Sequence, residues 1–449
     1  MSEMTNASVH QAARSYVTSA LEYLSGRDGL SVLGGMPEWV RIEDRFELRP
    51  RVDIGPDASH ADGLHRLPEF NALLEELHGD DVIASQLGEL VGTAIGGFTR
   101  RWSADELADR LLAEIVRPTG ELTFDEERFE RAYERIEDAL YATEFEFSLI
   151  TPIPQLKSDA LPVRLEANTE LAALDDREIR ACIQAGVLRP IGGLMPVVFV
   201  ESLAGLRHCF HVPKVVGSVL TDEHQAVVLG MVAALQEYPD RLIQALRLLK
   251  EGNLSVPGLV YFSDNWFNQG ATMFQSLGPT DPMAPGSYSL NADEAAEIQH
   301  LWTELSDERV RNHKRLPLSL RRFSYAGDRH RADDRLVDLM IAAEALFLPE
   351  DFLELGYKLA LRAAFFIEPE GYERRETFGH LRAGYGARGK IVHGSELKTL
   401  KLPDGTETTL EAFTDRTADY VRIALKRAMR IACETEDGSL SDFDNAILR

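Results

Sequence analysis

The sequence predicts an α+β fold: a mixed α/β region over the first two thirds, then an all-helical bundle. Three observations carry this expectation. Up to residue 142 apolar residues recur mainly at helical spacing. Between 145 and 262 they alternate with polar ones in short runs, the signature of half-buried strands. After Asn291 the helical period returns and no alternating segment follows. A chain of 449 residues with 44% hydrophobic content has material for two or three ordinary domains.

Each element follows from local pattern. Ala13, Val17, Ala20, Leu21 and Leu24 define a first helix over 10–25, ended by Gly26 and the Arg27-Asp28-Gly29 turn. Residues 37–66, rich in charge, Pro and Gly, are expected to be irregular. Helices follow at 68–79, 82–96 and 104–116, the last opened by a Ser103/Glu106 capping box and stopped by Pro118 and Gly120. Gly92, Gly96 and Gly97 are read as close-packing glycines of the second. A charged helix over 124–142 presents Phe129, Tyr133, Ile136 and Leu140 on one face.

Alternation then begins with Phe145, Phe147 and Leu149, and resumes at Val163 and Leu165. Asp175 is a candidate cap for a helix over 176–185. Residues 195–201 and 207–213 are expected to pair as strands, helices to occupy 223–237 and 240–250, and a strand 258–262. Residues 264–290, with Gly270, Gly278, Pro279, Pro282, Pro285 and Gly286, are the candidate linker. Helices are expected at 292–311, 317–326, 332–348, 352–367, 371–386 and 409–434. The organisation is therefore 1–142 mainly helical, 143–263 sheet-containing, 264–290 linker and 291–449 helical domain.

Charge limits the function classes. With 73 acidic against 48 basic residues the net charge is -25, and such a surface repels phosphate backbones at long range. Any RNA contact must come from a local basic patch. Residues 311–393 hold 15 Lys+Arg against 12 Asp+Glu, a local net of +3. Arg321, Arg322, Arg374, Arg375 and Arg382 are the candidate RNA-binding residues there. Cys182, Cys209 and Cys433 are widely spaced and fit neither a disulfide framework nor a zinc ribbon. MSEMTNASVH lacks a basic n-region and an apolar core, and no apolar run is long enough to span a bilayer. A cytoplasmic protein without membrane contact is the expectation.

Familiar catalytic signatures are missing: no Walker loop, no GxGxxG after a strand, no HExxH and no GxSxG. In His208-Cys209-Phe210-His211 a strand would point Cys209 and His211 to one face and His208 to the other, too few convergent ligands for a metal even with His60 and His65 nearby. No metal or cofactor is expected. What remains is Arg388-x4-His393. The spacing alone arises about once by chance in such a chain, and Arg375-x4-His380 matches too. Context separates them. Arg375 and His380 lie within a helical run, whereas Arg388 and His393 follow Gly384 and Gly386 and are bracketed by Gly389 and Gly394. A backbone break that presents both side chains is the expectation, with Ile391 and Val392 as apolar anchors.

The run DRLVDLMIAAEALFL (Asp334–Leu348), then LGYKLALRAAFFI, then RAGYGARGKIVHG resembles the Apea-like branch of the HEPN superfamily, over about 317–435. The Glu344 helix, the Lys358–Arg362 helix and the Arg-x4-His end arrive in that family's order and spacing. The resemblance implies a helical bundle, a homodimer through the C-terminal domain, and a metal-independent endoribonuclease of bacterial defence or toxin-like growth arrest. It makes Arg388 and His393 the catalytic pair. Glu344, Lys390 and Tyr385 are candidate supporting residues. Gly389 stands where active members often carry a polar residue, which keeps a second reading open: a non-catalytic HEPN module for dimerisation or ligand binding.

The chemistry of the residue types agrees. Cleavage through a 2'-hydroxyl needs a group that exchanges protons near neutrality, as imidazole does. It also needs a fixed cationic fork for the crowded phosphate, as guanidinium provides. Positions five apart on a regular helix diverge by about 140°, so two chains about a two-fold axis would be needed to surround one phosphate. The plainer arrangement pairs Arg388 with Glu344 and uses His393 as a helix cap. A carboxylate such as Glu344 among Met340, Ala343, Leu346 and Phe347 needs a partner, for which Arg388 and Arg382 are the candidates. The acidic N-terminal two thirds are expected to restrain the nuclease until an unidentified trigger binds.

Overall fold

The computed structural model describes residues 5–27, 30–34, 37–49, 52–56, 58–93, 99–117, 121–188, 196–200, 203–217, 237–252, 254, 256–263, 266, 271–276, 288–348, 353–402 and 405–440. The fold is α+β, mixed in its N-terminal region and helical in its C-terminal one.

The N-terminal region comprises α1 (Ala7–Ser25), β1 (Leu30–Gly34), β2 (Glu38–Ile42), β3 (Arg45–Arg49), β4 (Val52–Pro56), α2 (Ala61–Leu64), α3 (Pro68–Gly79), α4 (Asp81–Ala84), β5 (Leu90–Thr93), β6 (Thr99–Arg101), α5 (Ala104–Val116) and α6 (Glu126–Tyr141). The Ser103/Glu106 capping box opens α5 as its sequence requires. Two expectations are corrected. Within 37–66 the described residues form the strands β2, β3 and β4, followed by a 3-10 turn and the short helix α2. In the β2–β3 hairpin the apolar period is carried by single residues, Trp39 and Phe46, while Arg45, Glu47 and Arg49 form ion pairs. The helix expected over 82–96 is a single turn, α4. Gly88, at φ +78, turns the chain, and Val91, Gly92 and Thr93 then pair with a long strand at 204–216. Gly92 is thus a strand residue; Gly96 and Gly97 lie outside the described residues.

Next come β7 (Glu144–Ile153), β8 (Leu156–Ser158), β9 (Val163–Glu166), β10 (Thr169–Ala173), α7 (Asp176–Gln184), β11 (Val197–Phe199), β12 (Ala204–Val216), α8 (described over 237–249), β13 (Gly258–Ser263), β14 (Ala271–Ser276) and β15 (Tyr288–Leu290). The main antiparallel sheet has the order β14-β13-β7-β12-β10-β9, with β5 and β6 continuing from the far end of β12. Asp175 caps α7 with Glu178 in a capping box. β11 does not pair with β12, as expected from sequence, but with β3, while β12 is taken by β7 and β10 on its two edges. The helix expected over 223–237 lies, up to 236, outside the described residues. Within the expected linker 264–290, β14 pairs with β13, and β15 runs parallel to β8. Those two segments are sheet components, because backbone hydrogen bonding organises them where side-chain periodicity is weak.

The C-terminal region holds α9 (Ala292–Ser306), α10 (Glu308–Arg311), α11 (Leu316–Gly327), α12 (Ala332–Phe347), α13 (Leu355–Ile367), α14 (Arg374–Val392), β16 (Thr399–Lys401), β17 (Glu407–Thr409) and α15 (Leu410–Glu434). The small β16–β17 hairpin corrects the expectation of an all-helical region. Its strands are three residues each and only partly covered, too short to show a period of two.

Both faces of the main sheet are used. Phe145, Phe147, Leu149, Phe210 and Val212 pack on α1, α3, α5 and α6. Ile150 and Val260 pack with α7 and the β2–β3–β11 sheet. A third core joins the sheet's other end to the helical bundle: Ile153, Leu165, Leu171 and Leu206 are continuous with Trp302, Leu339, Phe347 and Met429. At this junction Glu166 accepts from the Trp302 indole at 2.8 Å and the Tyr238 hydroxyl at 3.3 Å, and Arg241 reaches it at 3.2 Å. His208 stacks on Tyr238 at 4.6 Å. No helix among the described residues is long and apolar enough to cross a membrane.

Candidate functional site

The Arg388/His393 segment is continuous helix. α14 passes through Gly384, Gly386 and Gly389 and ends only at Val392, which corrects the expected backbone break. Each glycine has a separate reason. A Cβ on Gly384 would stand 3.1 Å from Met340 Sδ and 3.4 Å from the Phe413 ring, so this glycine lets α14 lie close against α12 and α15. Gly386 and Gly389 face open space, and nothing prevents helix there. The true terminator is Gly394, at φ +87. Gly394 N–H donates to the Ile391 carbonyl and Ser395 N–H to the Lys390 carbonyl, both at 2.9 Å, which is a Schellman ending with His393 as the C-cap residue.

This geometry sends the two side chains apart. Arg388 is half-buried against α12, where its Nη2 lies 3.4 Å from Glu344 Oε2. Glu344 is therefore paired with Arg388 rather than Arg382. The contact is long and single. Arg388 Nε and Glu344 Oε1 are both buried without a hydrogen-bond partner, so the pair has unused bonding capacity on each side. Burial pushes the Glu344 carboxyl above its ordinary value, and Arg388 opposes that shift. His393 is exposed at the helix end beside exposed Val392. Spaced three or four residues apart, Arg382, Gly386, Gly389 and the C-cap His393 form one stripe along α14, exposed except at half-buried Gly389. Tyr385, half-buried, lays its ring over Gly356 of α13, where a Cβ would come within 2.7 Å of it. With Glu354, Leu355, Tyr357 and Arg382 it lines a shallow groove. Lys390 is exposed near the helix end.

The rival pair sits one helical stretch earlier on the same α14. His380 is 6% exposed and stacks on Phe413 at 3.9 Å with an interplanar angle of 8°. Its Nε2 lies 2.9 Å from Thr417 Oγ1 and 3.2 Å from the Phe413 carbonyl. Burial, the largest influence, holds its imidazole down at about 4. Backbone context thus does not distinguish the two Arg-x4-His pairs, since both are helical; burial does. Sequence reasoning also missed a cavity of about 600 Å³ beside His380, lined by Arg375, Phe413, Arg416 and Leu402. The discarded Arg375-x4-His380 match was the one signal for it.

The five candidate RNA-binding arginines do not form one patch. Arg321 lines a groove with Arg241 and Arg311. Arg322 pairs at 3.0 Å with buried Asp338, which Arg329 also reaches at 2.8 Å. Arg374 pairs with Glu368 at 3.3 Å and lies over the Phe365 ring. Arg375 opens on the cavity, and Arg382 stands by Tyr357 and Phe378. Sequence proximity misled because neighbouring residues on a helix project some 100° apart.

His208, Cys209 and His211 have separate surroundings: Thr169 and Tyr238 for the first, Ser148 for the second, Glu146 for the third. His65 bonds Asp109, and His60 meets the Tyr23 ring. Among the described residues no group of three or more His, Cys, Asp or Glu is placed to hold a metal ion. Compared with protein-family models, curated proteins and solved structures, the chain matches none.

Proposed function

We propose that the protein is a metal-independent endoribonuclease of the HEPN type, acting as a homodimer through its C-terminal helices. The observation that carries this reading is the end of α14: a half-buried guanidinium with unused donors, held by Glu344, beside an exposed imidazole. In the proposed reaction His393 takes the proton of a ribose 2'-hydroxyl as its oxygen attacks the adjacent phosphorus. Arg388 stabilises the charge on the five-coordinate phosphate, and Glu344 orients Arg388. The P–O5' bond breaks, and the 5'-oxygen takes a proton from the imidazolium of the second chain. The products are a 2',3'-cyclic phosphate and a 5'-hydroxyl. The second chain answers the divergence of Arg388 and His393 on one helix.

Cellular placement belongs to the same proposal: a cytoplasmic enzyme of bacterial defence or toxin-like growth arrest, slowed but not silenced by its acidic N-terminal region until a trigger binds. The shared core between sheet and bundle gives such restraint a route, since a change at the Glu166–Trp302–Tyr238 junction would be felt in α9. One observation favours a non-catalytic HEPN module instead. Glu344 offsets the charge of Arg388, and Gly389 adds no polar group between Arg388 and His393. Incubating the full chain with total RNA in EDTA decides between them. Fragments ending in cyclic phosphate support the nuclease, whereas intact RNA with a stable dimer supports the module.

A further inference from the structure

We propose that the cavity between the first half of α14, the start of α15 and the β16–β17 hairpin is a binding site for a small organic anion whose flat body carries an N–H donor. The site is separate from the Arg388/His393 end of α14 and does not depend on the nuclease reading.

The inference comes from subtracting the bonds the cavity's polar groups already make. Thr417 Oγ1 donates its proton to the Phe413 carbonyl at 2.9 Å. His380 Nε2 lies within reach of that hydroxyl oxygen and of the same carbonyl. A carbonyl only accepts, so Nε2 carries the ring proton and donates. On a neutral imidazole Nδ1 is then a bare acceptor. It has no described protein partner, yet the ring is only 6% exposed and lines the cavity. Nδ1 is not among the buried atoms left without a partner, so water reaches it, and an N–H of the occupant can take that water's place.

The charged groups divide in the same way. Arg416 is engaged, with Glu376 at 3.0 Å and the Tyr420 hydroxyl at 3.2 Å. Glu373 caps α14 by accepting from the Glu376 amide. Arg375 lines the cavity with no described ion pair or hydrogen bond. Among the described residues, the lining therefore offers a ligand the Arg375 cation, the Nδ1 acceptor, the Thr408 hydroxyl and the apolar surface of Phe413, Leu402 and Ala412, with the Glu373 carboxylate at the edge. A volume of about 600 Å³ lies within the usual range for small-molecule sites. The free guanidinium selects a carboxylate or phosphate, Nδ1 selects an N–H, and the aromatic wall favours a flat ring.

Isothermal titration of the full chain tests this with three probes. Indole-3-acetate supplies a carboxylate and an N–H, and adenosine monophosphate a phosphate and an exocyclic amine. 1-Naphthylacetate supplies a similar ring and carboxylate without the N–H. Saturable binding of either N–H probe at one site per chain is expected. Tighter indole-3-acetate identifies a carboxylate ligand, and tighter adenosine monophosphate a phosphate ligand. Arg375→Ala should weaken binding about tenfold or more, the effect of one charge-assisted hydrogen bond. Ala412→Trp, at an exposed lining position, should abolish it by filling the mouth. 1-Naphthylacetate should bind about tenfold more weakly than indole-3-acetate. No saturation by either N–H probe overturns the proposal. So does binding indifferent to both substitutions, or naphthylacetate binding equal to that of the indole.

Discussion

α14 carries the same five-residue spacing twice, and the two copies have opposite physical fates. At its N-terminal half Arg375 is exposed while His380 is buried, stacked on Phe413 and held neutral. At its C-terminal end Arg388 is half-buried on Glu344 while His393 is exposed. The two stations have exchanged which member is inside. An imidazole under a phenyl ring serves best as a hydrogen-bonding wall. One at a free helix end is open to solvent and, on the proposed reading, to substrate. A motif read as letters is silent on this difference, because it depends on which helices pack against α14 and where.

The largest expected effect is at the exposed station. His393→Ala should reduce RNA cleavage by about 10²–10⁴-fold, the usual worth of a general acid–base group. Arg388→Ala should cost about 10²–10³-fold, while His300→Ala on α9 leaves the rate unchanged. Cleavage in EDTA followed by gel electrophoresis is the measurement; full activity of His393→Ala would remove the distinction between the stations.

The buried station should show itself in stability rather than rate. His380 is held at about 4 in the folded chain against an ordinary 6.5. Between those values the unfolded chain binds a proton that the folded chain does not. Its contribution is therefore complete above about pH 6.5, is lost as pH falls to about 4, and does not change below that. The expected loss is on the order of 3 kcal/mol. Urea titrations across this window should show the decline, and His380→Gln should flatten it. An unchanged slope in the variant would mean that other groups set the acid sensitivity.

Glycines sharpen the contrast on a smaller scale. Gly384→Leu should destabilise by about 1–3 kcal/mol, because its side chain enters the Met340–Phe413 contact. Gly389→Ala should stabilise by about 0.5–1 kcal/mol, since the position is helical and open. Thermal melts of the two variants should move in opposite directions. The smallest shift in stability is expected for Glu344→Gln, within about 1 kcal/mol for a partly exposed pair. The same substitution should lower cleavage severalfold if Glu344 orients Arg388, and equal rates would make that ion pair purely structural.

Much of the fold was legible where one local pattern governs one element. α3 and α5 begin and end where apolar spacing, Pro68, Ser103 and Glu106 place them. β7 follows the alternation of Phe145, Phe147 and Leu149. The errors fall where local pattern and partner disagree. Val91 and Thr93 read as helix because Ala, Leu and Gly surround them, but a free edge of β12 takes them as strand. β14 is held by β13, which its local sequence does not name, and the strands of the β16–β17 hairpin are too short to show a period. At the candidate site the residue types and the Glu344–Arg388 pairing could be anticipated. The unbroken helix could not, because three glycines in six residues argue for a break unless close packing against Met340 and Phe413 is known.

By itself the sequence determined the fold class, the caps at Ser103 and Asp175, most helix positions and the residue types available for chemistry. Each of these depends on interactions within a few residues of chain, which are present before any tertiary contact forms. Tertiary structure alone decided that the helical bundle shares a core with the sheet through Leu206, Trp302 and Leu339. It also decided that the five arginines are dispersed, and that one histidine of α14 is a wall and the other a free end. These outcomes depend on desolvation and on which faces meet, quantities set by residues 30 to 200 positions apart.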